Sequence, residues 1–400
     1  MSTTLDALLI FLFLVAALGL GWHLGTRANP REAARTRKFQ PDYFIGLNYL
    51  LNDEPDDAVD VFIDALEVNA STLETHMALA TLLRRRGKAD RAIAHLQGLL
   101  SSQNFTMREL NGIKLQLVRS YIAAGLFDRA EKIIEELRGA PGAQREQALS
   151  LALALFQTER EWQKAIDCGL ELLESATLNH RDTVQLQVSH FYCELAEEII
   201  QRDKNYAQAL ELLRKGRAVR PDNVRVILQL AALYAILGED HSAEETLRQA
   251  LKLDTAVVLE KLPELTVALS KRPHFLAAIL DEVLRKNQHL SARQVELLAD
   301  LIHRYQGVEM EIAFLKDYAR RHPSPVLALR LLTLATSDLG AGYAPELVGQ
   351  VLDVLTGSEQ EAPRFQCISC GFQLRSTHWL CPGCGGWSTL RPLEAEHTAG

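Results

Sequence analysis

The sequence predicts an all-α chain in which one transmembrane helix precedes a long solenoid of helix pairs, followed by a small metal-binding ribbon. Three observations support this prediction. A segment without Asp, Glu, Lys or Arg covers residues 7–25. From residue 40 to 355, apolar residues recur at three- and four-residue spacing, which is typical of helices with one buried face. Two pairs of cysteines then lie between residues 367 and 384.

The composition limits the classes of protein that the chain can belong to. It is 48% hydrophobic and 24% charged, as expected of a folded protein, and 400 residues are enough for several domains. Gly (23) and Pro (13) are scarce, which favours helix over strands and turns. The net charge of −8 argues against a nucleic-acid-binding protein, and six cysteines are too few for a disulfide scaffold of this size.

The apolar segment at residues 7–25 predicts a membrane anchor. Nineteen helical residues span about 28 Å, close to the hydrocarbon thickness of a bilayer. No basic residue precedes the segment and five follow it between Arg27 and Lys38, so the positive-inside rule puts the N-terminus outside and the rest of the chain in the cytoplasm. A cleaved signal peptide and a soluble chain remain as alternatives.

A helical repeat begins directly after this region. In "YFIGLNYLLNDEPDDAVDVFIDALEVN", which starts at Tyr43, Gly46 is followed by Tyr49, Ala58 and Phe62 at the spacing of the 34-residue tetratricopeptide repeat. The small residues let two antiparallel helices approach each other, and the large residues fill the space toward the next pair. An irregular helical domain is the alternative.

The packing alanine recurs along the chain at 34, 38, 35, 44 and 34 residues. An apolar residue follows most of these alanines four positions later, and Gly169 is the exception. The equivalent alanines are Ala58, Ala92, Ala130, Ala165, Ala209 and Ala243. This spacing predicts a tetratricopeptide solenoid over residues 39–355, with degenerate repeats beyond Leu262. Cys168 and Cys193 lie alone in helical patterns and are interpreted as core residues.

The first helices of such repeats line an extended concave surface that typically binds peptides or proteins. Arg84, Arg85 and Arg119 fall on first-helix positions and are candidate contacts for acidic segments of a partner; a solvated basic face is the alternative. No sequence motif of a nucleotide-binding loop, a metalloprotease or a serine hydrolase is present, so the chain is not expected to be an enzyme.

Cys367, Cys370, Cys381 and Cys384 form two Cys-x-x-Cys pairs, ten residues apart. In a reducing compartment such pairs favour metal ligation over disulfides. Four thiolates complete a tetrahedral, structural site, for which zinc is the default ion and iron fits the same rubredoxin-like geometry. Two redox pairs are the alternative.

The residues around the ligands are expected to complete the ribbon. Gly371, Gly383 and Gly385 permit the turns. Four aromatic residues are expected to pack around the ion, and His378 is expected at the surface. The aromatic residues are Phe365, Phe372, Trp379 and Trp387.

The predicted domain boundaries follow from these segments. They are a transmembrane anchor at 1–25, a basic cytoplasmic juxtamembrane segment at 26–38, the solenoid at 39–355, a polar linker at 356–364, a rubredoxin-like metal-binding domain at 365–390 and a tail at 391–400. Only three basic residues lie around the metal-binding segment, so this ribbon is not expected to bind nucleic acid.

Several strings, in order along nearly the whole chain, resemble the lipopolysaccharide assembly protein B family. They include "YFIGLNYLLNDEPDDAVDVF", "LRRRGKADRAI", "YIAAGLFDRAE", "EWQKAID", "HFYCELA", "RKGRA", "HWLCPGC" and "WSTL". This family consists of bacterial inner-membrane tetratricopeptide proteins with a C-terminal rubredoxin-type metal domain. Trp379-Leu380 stands where family members tend to have Trp-His, and residues 255–350 match more loosely.

The resemblance implies a function that the residue patterns alone do not show. Members present the LpxC deacetylase to the membrane protease FtsH, and a lipopolysaccharide-sensing inner-membrane regulator relieves this activity. By the same resemblance, the metal domain packs against the repeats and its four cysteines are the ligands. We therefore expect a non-enzymatic, single-pass inner-membrane adaptor with a periplasmic N-terminus. A general scaffold for lipopolysaccharide synthesis and transport proteins, without effect on client turnover, is the alternative.

Overall fold

The structure is a computed structural model that describes residues 68–102, 105–175, 179–261, 290–322, 325–338 and 363–393, with isolated positions between 44 and 63 and between 275 and 283. The predicted anchor, the juxtamembrane segment, Ala58 and most of the linker lie outside the described residues. Within the described part of the chain, no helix is long and apolar enough to cross a membrane.

Contacts divide the chain into two units, Met1–Leu155 and Phe156–Gly400. The helices of the first unit are α1 (Leu73–Arg85), α2 (Ala89–Leu100), α3 (Met107–Ala123), α4 (Phe127–Leu137) and most of α5 (Ala143–Glu159). The second unit contains the end of α5 and the helices α6 (Trp162–Leu173), α7 (Arg181–Asp203), α8 (Tyr206–Val219), α9 (Val224–Leu237), α10 (Asp240–Leu253), α11 (Ala292–Gln306), α12 (Val308–Arg321) and α13 (Pro325–Asp338). Residues 255–261 are also helical.

The first unit is built from helix pairs that stack in sequence order. Helices α1 to α4 each pack against the next, and the first helices of two successive pairs, α1 and α3, also contact each other. The predicted packing alanines of this unit, Ala92 and Ala130, are fully buried. Thr106 and Glu109 form a capping box at the start of α3, which satisfies two N-terminal N–H groups.

The second unit repeats this arrangement. Helices α6 to α10 pack in order, and α7 also contacts α9, as the first helices of adjacent repeats do in a solenoid. Ala165, Ala209 and Ala243 are buried, as are Leu213 and Leu247 four residues after two of them. The alanine spacing therefore identified the packing positions of the described repeats correctly, and the helical solenoid prediction is confirmed.

A buried ion-pair network holds α11 to α13 together. Glu311 on α12 is fully buried; its carboxylate lies 2.7 Å from the Nδ1 of His303 on α11 and accepts hydrogen bonds from Arg330 on α13 at 2.8 and 2.6 Å. The degenerate sequence of this region thus still forms packed helix pairs.

The C-terminal ribbon is a three-stranded antiparallel sheet in the order β2-β1-β3. The strands are β1 (Phe365–Cys367), β2 (Gln373–Leu374) and β3 (Leu390–Pro392). Phe365 pairs with Leu374 on one side and with Pro392 on the other. The tail that was predicted to begin at residue 391 therefore includes the end of β3, because Arg391 pairs with Gln366.

Gly216 allows a close approach between α7 and α8. A Cβ at this position would lie 2.9 Å from the Cβ of Tyr192 and 3.4 Å from the carbonyl oxygen of Ser189. Gly216→Ala is expected to destabilise the protein by about 1–3 kcal/mol, since overpacking outweighs the gain in helix propensity. Gly98→Ala in α2 is the matched control: its Cβ meets nothing within 4 Å, so we expect unchanged or higher stability in thermal melts. Equal melting temperatures for the two variants would contradict this account.

Candidate metal centre

The four cysteine sulfurs converge at one end of the ribbon. All four Sγ atoms lie within 4.8 Å of one another. The Cys367–Cys384 and Cys370–Cys381 sulfur pairs are 3.7 and 3.8 Å apart. These distances exclude disulfides, whose sulfurs are about 2.05 Å apart. They fit a tetrahedral ion with metal–sulfur bonds of about 2.3 Å, which places the sulfurs roughly 3.8 Å apart. The chain therefore has a four-cysteine, rubredoxin-like metal-binding site, which suits zinc and iron alike.

Two turns with the same hydrogen-bond pattern position the ligands. In the first, the Gly371 N–H donates to the Cys367 carbonyl at 2.9 Å; in the second, the Gly385 N–H donates to the Cys381 carbonyl at 2.8 Å. Both glycines have positive φ, +74° and +68°, which residues with a Cβ rarely adopt. Each turn therefore aims two sulfurs at the same point.

Gly383 is required for a different reason. Its φ is not in the left-handed region, but a Cβ at this position would lie 3.0 Å from the ring of Phe372. The glycine thus allows the second turn to lie against an aromatic side chain of the first.

The surroundings of the sulfurs shift the pKa values of Cys367 and Cys370 in opposite directions. The pKa of Cys367 is lowered to about 6. The largest cause is the hydrogen bond with the Thr389 hydroxyl, whose oxygen lies 3.3 Å from the Sγ of Cys367. The Phe372 N–H favours the Cys370 thiolate, but burial and hydrogen bonds with the other thiols raise the pKa of Cys370 to about 12. A bound cation would displace the protons that remain on these thiols, because a metal ion is ligated by thiolates.

The aromatic residues of the ribbon are arranged differently from the prediction. Phe365 is buried, but Phe372 is 45% exposed. Trp379 and Trp387 pack against the repeat helices instead of enclosing the ion, because the ribbon buries them at its interface with the solenoid. His378 is exposed and pairs with Ser376, in agreement with its predicted surface position.

Trp387 is the centre of this interface. Its ring stacks on His190 of α7, with centroids 4.6 Å apart and planes 14° apart, and meets Phe191 edge-on at 6.0 Å. Its Nε1–H donates to the Oε1 of Gln157 at 3.2 Å. The Oγ of Ser388, the next residue, lies 2.9 Å from the Nε2 of His190. One tryptophan of the ribbon therefore contacts α7 and the end of α5 that lies in the second unit.

Trp379 makes a second set of contacts. Arg225 of α9 lies over both tryptophan rings, 5.8 Å from the centroid of Trp379 and 5.7 Å from that of Trp387. The Nζ of Lys261 lies 5.6 Å from the Trp379 ring and donates to the carbonyl oxygen of Thr377 at 3.1 Å. Cations over the faces of desolvated aromatic rings attract them electrostatically.

Two carboxylates of α7 hold Arg225 in place. Its guanidinium, only 4% exposed, pairs with Glu194 at 2.8 Å and Glu197 at 3.0 Å. A buried charge without a partner would be costly, so this pairing allows the cation to lie beneath the ribbon. The interface is thus part of the packing between α7 and α9.

Burial keeps His190 neutral. Desolvation, together with the charge of Arg225, holds the pKa of His190 well below its usual value of about 6.5. The side chain is fully buried, and its Nδ1 has no hydrogen-bond partner. Protonation of this ring would place a second cation beside Arg225.

Stability is therefore expected to fall as the pH drops below about 6.5, where the unfolded chain takes up a proton at position 190 that the folded chain excludes. The loss is at most about 1.4 kcal/mol per pH unit until the folded pKa is reached. His190→Phe keeps a ring against Trp387 but cannot titrate, so its melting temperature should change less between pH 6.5 and 5.5. Parallel pH profiles of the two proteins would show that another group dominates.

The sequence alone did not identify His190, Arg225, Lys261 and Gln157 as interface residues. One signal was available: Arg225 interrupts the apolar run "VRVILQLAALYAIL" at a position that the helical period buries. A buried arginine requires partners, but the sequence does not show that two tryptophans, 154 and 162 residues further along the chain, supply part of its surroundings.

The three predicted groove arginines lie in the first unit. Arg84 and Arg85 end α1, and Arg119 is on α3; Arg84 and Arg119 are half-buried and Arg85 is exposed. Desolvation, followed by the charges of Arg119 and Arg85, lowers the pKa of Arg84. Arg84 is therefore close enough to both other cations to be repelled by them.

Comparisons with known proteins agree with these features. Residues 365–392 match the family model described as rubredoxin metal binding domain, and residues 224–256 match the tetratricopeptide repeat. The chain is 32% identical to lipopolysaccharide assembly protein B of Escherichia coli (strain K12), over 96% of this chain and 98% of that protein. The corresponding values for the protein of the same name from Haemophilus influenzae are 28%, 97% and 98%. The chain is also similar to a solved tetratricopeptide repeat protein from Parabacteroides merdae, at 16% identity and a TM-score of 0.35, over 67% of this chain and all of that protein.

Proposed function

The chain belongs to the lipopolysaccharide assembly protein B family, and on that premise we propose that it acts in lipopolysaccharide assembly as a non-enzymatic, membrane-anchored adaptor. Its clients and partners are other proteins, as the tetratricopeptide fold supports. In the finer form of the proposal, the adaptor presents the LpxC deacetylase to the membrane protease FtsH. A lipopolysaccharide-sensing regulator in the inner membrane controls this activity.

The observation that carries the proposal is the packing of the ribbon on α7 and α9 through Trp387, His190 and Arg225. An adaptor must hold its client and its protease in a fixed relation, and a ribbon that covers repeat helices makes this part of the solenoid rigid. When bound, the metal ion supplies the structural link between the two turns of the ribbon. The four thiolates complete its coordination, so no position is left for a catalytic water.

Residues 7–25 are proposed to anchor the chain in the inner membrane, with a periplasmic N-terminus and the repeats on the cytoplasmic side. An anchor confines the adaptor and the protease to one surface, which raises their effective concentration without additional contacts.

The test is the lifetime of the LpxC deacetylase in cells that are depleted of this protein and blocked for new synthesis. We expect a longer lifetime, which the wild-type chain restores and Cys381→Ser does not. An unchanged lifetime would reject proteolytic control and favour the second candidate, a general scaffold for lipopolysaccharide synthesis and transport proteins. The scaffold uses the same repeats but does not alter client turnover.

A further inference from the structure

Helices α1 and α3 present a strip of matched positions in the first unit. Three residues of α1 each have an equivalent 35 residues later on α3, and the three positions lie on one helix face because their spacing is four and then three. The pairs are Met77 with Gly112, Thr81 with Gln116, and Arg84 with Arg119. All six residues are half-buried.

Contacts show that the two helices lie side by side along this strip. A Cβ on Gly112 would lie 3.9 Å from the Sδ of Met77. The hydroxyl of Thr81 lies 3.4 Å from the Oε1 of Gln116. The strip therefore continues from a small apolar end, through two hydrogen-bonding side chains, to a pair of arginines.

The described surroundings of the arginine pair are unfavourable for two cations. The Nε–H of Arg84 is buried without a hydrogen-bond partner, and no carboxylate forms an ion pair with Arg84 or Arg119 in the part of the chain that the structure describes. Neighbouring arginines repel Arg84. By contrast, the buried Arg225 has two carboxylate partners. Partly desolvated cations without a carboxylate partner lower stability, so the contacts among the described residues give Arg84 and Arg119 no stabilising role.

We propose that Arg84 and Arg119 form a carboxylate-binding site on this strip for an acidic segment of a partner protein. A guanidinium presents two parallel N–H groups that match the two oxygens of a carboxylate, and partial burial strengthens such charge-assisted bonds. Thr81 and Gln116 supply polar groups for the backbone of the same segment. The inference rests on the proposed adaptor function and gives the chemistry of the segment that is recognised.

An acidic peptide fits this site better than a nucleic acid or an anionic membrane surface. The chain carries a net charge of −8, so a long polyanion would meet repulsion from the rest of the surface. A short segment needs favourable charge only at the strip, where Arg85 adds a third cation at the edge.

The test is the binding of a fluorescein-labelled hexaglutamate amide to the full-length protein in non-ionic detergent, followed by fluorescence anisotropy. Arg84→Gln and Arg119→Gln are each expected to weaken binding about tenfold. Arg84→Lys keeps the charge but not the two parallel donors, so it should lie between wild type and Arg84→Gln. Arg86→Gln is the matched control: it removes the same charge from an exposed neighbouring position, and less than a twofold change is expected.

Melting temperatures separate recognition from a structural role. Without peptide, Arg84→Gln and Arg119→Gln should melt at or above the wild-type temperature. Lower melting temperatures for both, unchanged peptide binding, or an equal loss with Arg86→Gln would overturn the proposal. Displacement of the peptide by inorganic pyrophosphate at concentrations below the peptide Kd would instead identify a phosphate site and reject it. None of these measurements depends on LpxC turnover, so this site and the adaptor function can fail separately.

Discussion

Cys381→Ser is expected to abolish metal binding and to unfold the ribbon. Cys381 is almost fully buried and packs against Cys367 and Leu390 in the small core of the ribbon. A unit of about 30 residues with three short strands cannot form a sufficient hydrophobic core without the ion. Structural zinc contributes about 10–16 kcal/mol in comparable small domains, so the loss of one ligand out of four removes the main source of stability.

The measurement is the metal content of purified wild-type and variant protein, by mass spectrometry of the metal, together with amide hydrogen exchange of residues 363–393. We expect about one ion per wild-type chain, and little or none in the variant with fast exchange throughout the ribbon. Identification of the ion also decides between zinc and iron.

Ser369→Ala is the control for this experiment. Ser369 is exposed within the first turn, and its contribution to Cys367 is a backbone N–H that alanine retains. It should bind metal as the wild type does. A Cys381→Ser protein that kept a full ion and slow exchange would mean that the ribbon does not depend on four thiolates.

How much of this site the sequence predicts depends on how close together in the sequence the residues of each pattern lie. The four ligands are close in sequence, and the Cys-x-x-Cys spacing with Gly371 and Gly385 directly determines the turns that bring them together. The repeat is likewise a local signal, because small alanines such as Ala92 and Ala209 recur wherever two helices approach closely.

The docking of the ribbon on the helices cannot be predicted from a local sequence pattern. Trp379 and Trp387 were expected to pack around the ion because a small domain needs apolar residues in its core. Both tryptophans pack at the interface with the helices instead. Leu374 and Leu390 pack in the core of the ribbon. Which surface of the solenoid receives two tryptophans depends on the arrangement of Arg225, Glu194 and His190 in space, and no spacing in the sequence encodes that arrangement.

Trp387→Ala separates folding of the ribbon from its docking, and its expected effect is the next largest. The side chain is 5% exposed and loses four interactions when truncated: the stack on His190, the edge contact with Phe191, the cation of Arg225 and the hydrogen bond to Gln157. Truncation of a buried tryptophan costs about 3–5 kcal/mol. The metal site does not use Trp387, so the variant should still bind one ion.

The measurement combines metal content with hydrogen exchange of α7 and α9 in the full-length protein. We expect a full ion but faster exchange around His190 and Arg225, whose surroundings the ribbon no longer covers. Phe372→Ala is the matched control, because this aromatic side chain of the same ribbon is 45% exposed and contacts the second turn. It should leave exchange in both helices unchanged.

The same pair of variants then addresses why the ribbon is present. If docking is what the proposed adaptor requires, Trp387→Ala is expected to lengthen the lifetime of the LpxC deacetylase as Cys381→Ser is, although its metal site is intact. If Trp387→Ala supports normal turnover with α7 and α9 uncovered, the ribbon acts through its own exposed surface, where Ile368 is 70% exposed beside the ligands. The first outcome is expected, because the fully buried His190 and the paired cation of Arg225 are arranged around Trp387, while the described exposed face of the ribbon carries no comparable set of contacts.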